Sequence, residues 1–217
     1  MKYYPIFLDI TEKPCAVVGG GEVALRKAQR LLQCHALVWV ITEELSPEWK
    51  ALHREDGLHF IPDKYKSRYI KDMFLVIGAT NKREINERIF QDARKRHILV
   101  NIVDDPLRCD FILPSLVERG DLSVAISTGG KSPAMAKRLR EELENILGAE
   151  YEIALEIMGH IRRIVQEQNQ PPHDNQQIFA QLIHSDMLRL IREKDWNTLR
   201  KLILNIVPEA ENIKLPS

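Results

Sequence analysis

Cys15-Ala16-Val17-Val18-Gly19-Gly20-Gly21-Glu22-Val23-Ala24 joins an apolar, β-prone run to three glycines and then to an amphipathic stretch. A strand that ends in glycines and resumes as a helix is the setting a dinucleotide fingerprint requires, here spaced Gly19-x-Gly21-x-x-Ala24. Each small residue has its own physical task. Gly19 takes the tight turn off the strand, Gly21 keeps a Cβ from standing between the backbone and a pyrophosphate, and Ala24 lets the helix approach the strand. The amides that open the helix, around Gly20, Gly21, Glu22 and Val23, then turn free N–H groups and the positive end of the helix dipole toward the phosphates. The same hexapeptide also serves strand-to-helix turns that bind nothing, so the flanking chain decides between the two.

Downstream, 22–33 places Val23, Leu25, Ala28, Leu31 and Leu32 near one face with Arg26, Lys27 and Arg30 elsewhere, the pattern of a helix covering a sheet. Ala36-Leu37-Val38-Trp39-Val40-Ile41 follows as a strand with no polar alternation, which implies burial on both faces of a parallel sheet. It ends at Thr42-Glu43-Glu44. An acid at that end suits a ribose hydroxyl, so Glu43 is the candidate ribose contact, with Thr42 beside it. No arginine stands there to receive a 2′-phosphate, and NAD is expected rather than NADP. Upstream, Ile6-Phe7-Leu8-Asp9-Ile10 reads as a short first strand or a lead-in, followed by a turn at Thr11-Glu12-Lys13-Pro14.

Three further apolar runs complete the pattern: 59–62, 73–80 and 98–103. The second ends in Gly78-Ala79-Thr80, small residues that let the backbone approach a dinucleotide. Thr80 or Asn81 is positioned to start a helix carrying Ile85, Ile89 and Phe90 on one face. The third ends at Asp104-Asp105-Pro106. Strands alternating with helices up to about residue 113 predict an α/β, Rossmann-type doubly wound parallel sheet, whose ligands lie outside the carboxyl ends of the strands. The glycine loop, Thr42-Glu43, Ala79-Thr80 and Asp104 all fall at such ends. Asp104 and Asp105 there are candidates for general-base work, while Asp followed by Pro is equally a turn starter.

After residue 113 the pattern changes. Residues 111–119 and 122–127 read as two strands joined by Gly120-Asp121, a hairpin that needs a partner surface, either the main domain or a second subunit. Thr128-Gly129-Gly130-Lys131-Ser132-Pro133 precedes a helix over 134–147, with Ser132 as N-cap and Pro133 at the first helical position. The Gly-Gly loop with Lys131, Lys137, Arg138 and Arg140 nearby suits a carboxylate or phosphate, and equally a capped helix with a flexible lead-in. The remainder reads as helical over 151–167, about 178–193 and 196–206, with a polar break at 168–175 and a frayed end from Pro208. The expected organisation is 1–113 for the dinucleotide domain, 114–148 for a dimerisation and substrate-cleft region, and 149–217 for a helical domain.

The 217 residues carry 31 Lys plus Arg against 31 Asp plus Glu, so no global charge points to a nucleic acid or an anionic membrane. Cys15, Cys34 and Cys109 form no disulfide or zinc spacing, and the seven histidines show no metal pattern. His160 reads as a packed or surface helix residue, and Cys109 beside Arg108 is not assigned as a nucleophile. The first residues lack the apolar run of a signal peptide and no stretch reaches the length of a membrane span, so a cytoplasmic protein is expected.

Several segments, in order, resemble one family. Pro5-Ile6-Phe7, Val17 through Lys27, Ala79-Thr80-Asn81, Asn101-Ile102-Val103-Asp104-Asp105, Phe111-Ile112-Leu113-Pro114-Ser115 and Ser127 through Pro133 are similar to the precorrin-2 dehydrogenase and sirohydrochlorin ferrochelatase module of sirohaem synthases. The resemblance covers about residues 3–145, and the helical tail shares only its type. It implies oxidation of precorrin-2 to sirohydrochlorin with NAD as acceptor, with ferrous ion insertion at the same site in some members. It places the catalytic aspartate on Asp104, implies a homodimer through the region after the dinucleotide domain, and puts Thr128 where the family has a serine. Substrate contacts are expected from Asp105, Ser115, Thr128, Gly129, Gly130 and Lys131. No resident metal is implied, and the methyltransferase domain fused to some relatives is not expected within these residues. The alternatives are another NAD-dependent oxidoreductase on this fold, or an NAD-sensing module without turnover.

Overall fold

The computed structural model describes residues 2–52, 55–167 and 172–216. The chain divides into two compact units, Met1–Leu113 and Pro114–Ser217.

The first unit is built on five strands: β1 (Pro14–Val18), β2 (Leu37–Ile41), β3 (Leu58–Ile61), β4 (Leu75–Gly78) and β5 (Leu99–Ile102). They lie in the order β3-β2-β1-β4-β5 and every pairing is parallel. Helix α1 (Glu22–Gln33) crosses from β1 to β2, and α2 (Arg83–Lys95) from β4 to β5. Short 3-10 turns at Pro47–Leu52 and Ser67–Ile70 serve the other two connections. The strand order reverses between β1 and β4, which opens the crevice where such sheets bind ligands.

Side chains alternate across this sheet. Cys15 and Val17 pack with Ala24, Leu25, Ala28 and Leu31 of α1 and with Trp49, while Ala16 and Val18 pack with Ile70, Ile89 and Ala93. Both faces are covered at the centre of the sheet, which is why β1 and β4 are apolar, while the edge strand β3 carries the exposed His59 and β5 the buried Asn101. Residues 6–10 form the lead-in and no strand. Asp9 and Ile10 accept hydrogen bonds from the backbone amides of Thr11 and Lys13, which bends the chain directly into β1 and leaves Ile6 and Phe7 exposed. Helix α2 starts later than Thr80 or Asn81, with Lys82 at its N-cap. The Thr80 hydroxyl is engaged ahead of it, accepting from the Lys82 amide at 3.2 Å and donating to the Asn86 Oδ1 at 2.8 Å.

In the second unit β6 (Ser115–Arg119) and β7 (Leu122–Ile126) pair antiparallel around Gly120, whose φ of +54° fits the first central position of a type II′ turn. Helix α3 (Pro133–Ile146) begins at Ser132, whose Oγ accepts from the Met135 amide at 3.2 Å. Four helices follow: α4 (Glu150–Glu167), α5 (Pro172–His184), α6 (Met187–Arg192) and α7 (Trp196–Ile206). Ile157, Ile161, Leu182, Leu199 and Ile203 form the centre of their core. The stretch 178–193 is divided between α5 and α6, and of the polar break at 168–175, residues 168–171 lie outside the described residues. The end from Pro208 is not frayed through residue 216. Val207, Ala210 and Ile213 recur at three-residue spacing and are buried in the helical core, and the Arg200 guanidinium donates to the carbonyls of Glu211 at 3.2 Å and Ile213 at 3.1 Å.

Candidate functional site

The glycine loop leaves β1 at Gly19, whose φ of +131° is open to glycine and strained for other residues. A Cβ there would stand 2.3 Å from the Ala79 carbonyl oxygen, so the ends of β1 and β4 approach as only glycine allows. At Gly20 a Cβ would meet the Glu44 carbonyl oxygen at 1.9 Å. Its carbonyl accepts from the Ser46 amide at 2.9 Å and from the Trp49 indole at 2.8 Å. Gly21 differs, because a Cβ at that position would meet nothing within 4 Å. It is the N-cap of α1 and supplies no side-chain cap, and the first amide to find a helical acceptor is Leu25, bonded to the Gly21 carbonyl. The amides of Glu22, Val23 and Ala24 are thus the unsatisfied donors of a helix start, beside open space.

That space is a cleft of about 670 Å³. Gly19, Gly20, Gly21, Glu22, Val23, Thr42, Glu43, Ala79 and Thr80 all line it. The loop is a cradle that a Cβ at Gly21 would fill, and with its free helix amides it fits a pyrophosphate. Glu43 is half-exposed and 3.7 Å from the Lys64 ammonium. Thr42 donates through Oγ1 to the Glu44 carbonyl at 2.8 Å, fixing the turn after β2.

Sequence reasoning did not single out Asp63, Lys64 and Tyr65, which also line the cleft. They follow β3, and the strand-end rule applied to that strand points to them. Hydrogen bonds from Lys66 and Tyr69 hold the Asp63 carboxyl down at about 2, so it stands ionised at the β3 end of the cleft, paired with the Lys66 ammonium. Trp49, 1% exposed, carries no sequence signal beyond that of a core aromatic.

Asp104 stands after β5 on the same edge of the sheet, exposed, in a turn closed by the Asp105 amide on the Ile102 carbonyl at 3.1 Å. Its φ is +61°. Asp104 does not line the cleft but acts electrostatically on Lys27 of α1. Burial pushes the Lys27 ammonium down, Arg26 adds to this, and the Asp104 carboxylate opposes it. Asp105 is bound to Arg108 at 2.6 Å. Burial pushes the Cys109 thiol up, and its Sγ donates to the carbonyls of Ile102 at 3.3 Å and Asp105 at 3.2 Å. The Cys15 thiol, fully buried, is pushed up to about 12. Neither is poised as a thiolate nucleophile.

The other expected substrate contacts belong to the second unit. Ser115 opens β6. Thr128 donates through Oγ1 to the Ser132 carbonyl at 3.0 Å and accepts from its amide at 3.2 Å. Gly129 and Gly130 take φ of +62° and +82° with open space where a Cβ would stand, and Lys131 is exposed. Lys137, Arg138 and Arg140 each pair with a glutamate four residues on, so the charges of α3 are largely balanced on the helix itself. Among the described residues, no group of three or more His, Cys, Asp or Glu is arranged to hold a metal ion.

Residues 6–115 match the family model described as "Putative NAD(P)-binding", and residues 119–146 match the central segment of sirohaem biosynthesis proteins. The chain belongs to the family of putative NAD(P)-binding proteins that the first model describes. Curated sirohaem synthases resemble it over most of its length: that of Mannheimia succiniciproducens is 35% identical over 93% of this chain, and that of Buchnera aphidicola 37% identical over 93%. Sirohaem synthase 1 of Cronobacter sakazakii is 42% identical over 75% of the chain. The chain spans only 42%, 43% and 34% of those relatives. The solved structure of SirC, precorrin-2 dehydrogenase, superposes with a TM-score of 0.80 at 24% identity, covering 94% of this chain and 98% of that one. At that identity the likeness establishes the fold, a Rossmann-type sheet followed by a helical region. The NAD(P)-binding match spans β1, the glycine loop and α1, which together form the cradle.

Proposed function

We propose that this chain is a precorrin-2 dehydrogenase of sirohaem biosynthesis, oxidising precorrin-2 to sirohydrochlorin with NAD. One observation carries the reading: Asp104 lies on the same strand-end edge as the glycine cradle and acts on Lys27 of the helix that the cradle opens. The relatives' names and the shared fold support it. Gly19, Gly20 and Gly21 with the amides of Glu22 and Val23 hold the pyrophosphate, Thr42 and Glu43 the ribose, and Ala79 and Thr80 admit the dinucleotide to the switch point. NAD bound there supplies the hydride acceptor. Asp104 removes the proton whose loss accompanies hydride departure from precorrin-2, so that two electrons and two protons leave the tetrapyrrole.

Substrate carboxylates are assigned to Ser115 and to the loop of Thr128, Gly129, Gly130 and Lys131. A homodimer through 114–148 is part of this reading, supported by Met135, Leu139 and Ile146 standing exposed on α3. The location is taken as cytoplasmic, and no helix among the described residues is long and apolar enough to cross a membrane.

NADH formation from precorrin-2 tests the proposal, run on wild type and Asp104→Asn. Asparagine retains tolerance of a positive φ, so it removes the base without adding backbone strain. Wild-type turnover with a loss of at least about 100-fold in the variant is the expected result. A silent wild type overturns the dehydrogenase, in favour of another oxidoreductase or an NAD sensor. Full rate in the variant overturns the assignment of Asp104. Supplying sirohydrochlorin and ferrous ion tests the ferrochelatase step separately, with ferrous ion as substrate.

A further inference from the structure

A left-handed backbone at a residue other than glycine is uncommon and persists only where the surroundings over-determine it. Asp104, at φ +61°, is such a residue, and the chain on either side of it is tied down atom by atom. Before it, the Val103 amide donates to the Gly78 carbonyl at 2.9 Å, fastening the turn to β4. After it, the Asp105 carbonyl accepts from the Arg108 amide at 3.0 Å and from the Cys109 Sγ at 3.2 Å. The Asp105 carboxylate accepts from Arg108 Nη1 at 2.6 Å, and Arg108 Nε pairs with Glu87 of α2. The side chains of Arg108, Asp105 and Glu87 are 27%, 29% and 35% exposed, so this pairing is partly shielded from water.

We propose that Arg108 is a positioning residue: bridging Glu87 of α2 to Asp105, it locks the turn that presents Asp104, and Asp105 serves this clamp in place of substrate contact. The proposal rests on the dehydrogenase reading for its catalytic consequence. The chemistry favours the division of labour. The Asp105 carboxylate is committed to the guanidinium that it shares with Glu87 and is not free for substrate, while the Asp104 carboxylate lies outside the clamp. A planar fork fixed at two points also resists rotation, which a lysine at the same position does not reproduce.

The full chain carries the test, as Arg108→Ala, Arg108→Lys, Asp104→Asn and the double variant Arg108→Ala with Asp104→Asn. Three readouts are taken: kcat and KM for precorrin-2, NAD affinity, and amide exchange across residues 102–109. In Arg108→Ala, kcat falls at least about ten-fold, as a misplaced base does, while KM and NAD affinity stay within about two-fold. Exchange at the Asp105 amide accelerates, and Arg108→Lys recovers only part of both effects. In the Asp104→Asn background, removing Arg108 costs less than about two-fold, because a group acting through Asp104 has nothing left to position.

An equal loss in both backgrounds overturns the proposal, as does unchanged exchange in Arg108→Ala. A rise in KM alone in Asp105→Asn returns Asp105 to substrate binding and also overturns it. Should Arg108→Ala not fold, Glu87→Gln removes one arm of the fork and is read in the same way. Should wild type prove inactive with precorrin-2, the dehydrogenase reading fails by itself, and the exchange measurement still decides the clamp.

Discussion

The indole of Trp49 donates to the carbonyl of Gly20 at 2.8 Å, across 29 positions of chain, and so fixes the middle glycine of the loop from the 3-10 turn after β2. The Ser46 amide bonds the same oxygen, which leaves the loop oriented from one side by two donors.

Trp49→Phe keeps an aromatic ring in the core, removes the indole donor and leaves part of the indole's volume unfilled. The Gly20 carbonyl retains Ser46, so the loss is that of a single hydrogen bond, about 1 kcal/mol, with no orphaned acceptor. NAD titration is expected to show affinity lowered roughly five-fold, with a melting temperature lowered by the lost bond and the smaller buried ring. Affinity equal to wild type means that the bond does not orient the loop.

Gly20→Ala and Gly21→Ala separate a cradle from a mere turn. At Gly20 the added Cβ lies 1.9 Å from the Glu44 carbonyl oxygen, a backbone atom that cannot yield without opening the turn after β2. Thermal melts of Gly20→Ala are expected to show a clear loss of stability. Gly21 has φ −86° and ψ −179°, which alanine adopts readily, and open space beyond it. Gly21→Ala is expected to melt as wild type does and to bind NAD at least about ten-fold more weakly, since the methyl occupies the place of the pyrophosphate. Undiminished affinity would remove the dinucleotide from this loop.

What was legible in the sequence followed from periodicity. A run such as Ala36 through Ile41 has no polar alternation because both its faces are buried, and once such runs alternate with amphipathic helices the parallel sheet follows. The edge rule then gathers Gly19, Thr42, Ala79 and Asp104 at the strand ends without any knowledge of contacts. Trp49 was illegible because its function lies in one hydrogen bond formed over 29 residues, while its composition signal is that of any core aromatic. The pairing of Arg108 with Glu87 depends on how α2 lies beside the turn after β5, which no spacing encodes. The residues from Pro208 onward look frayed because charged neighbours dilute the apolar signal, and only packing against α7 shows Ala210 and Ile213 as core.

Asp63 gives the β3 end of the cleft a pH dependence whose sign is fixed. Lys66 and Tyr69 lower its carboxyl from the ordinary 3.8 to about 2, so folding favours the ionised form. A group depressed on folding contributes stability that is complete above the unfolded value and is lost as pH falls through the folded one. The difference in melting temperature between wild type and Asp63→Asn is expected to be constant above about pH 5 and to shrink between about pH 4 and about pH 2. A difference that grows on acidification contradicts the ion pairing.

Arg119 ties the hairpin to the end of α3. Its Nε donates to the Leu147 carbonyl at 2.7 Å and its Nη2 to the Glu144 carbonyl at 2.9 Å, placing a cation on the unsatisfied acceptors of a helix C-terminus. Its remaining arm donates to the Glu118 carbonyl at 2.8 Å, so one guanidinium holds β6 and α3 in register. Arg119→Ala removes three charge-assisted bonds, two of them to the end of α3, and the dipole contact, expected to cost about 2 kcal/mol and to lower the melting temperature by roughly 4–8 °C. Arg119→Lys keeps the charge but cannot reach both carbonyls as a planar fork does, and recovers only part of the loss. Because the hairpin and α3 belong to the region assigned to dimerisation, sedimentation of Arg119→Ala is expected to show a weakened dimer while NAD affinity, set in the other unit, stays at the wild-type value. A variant that loses NAD binding and keeps its dimer would place Arg119 in the service of the cleft instead.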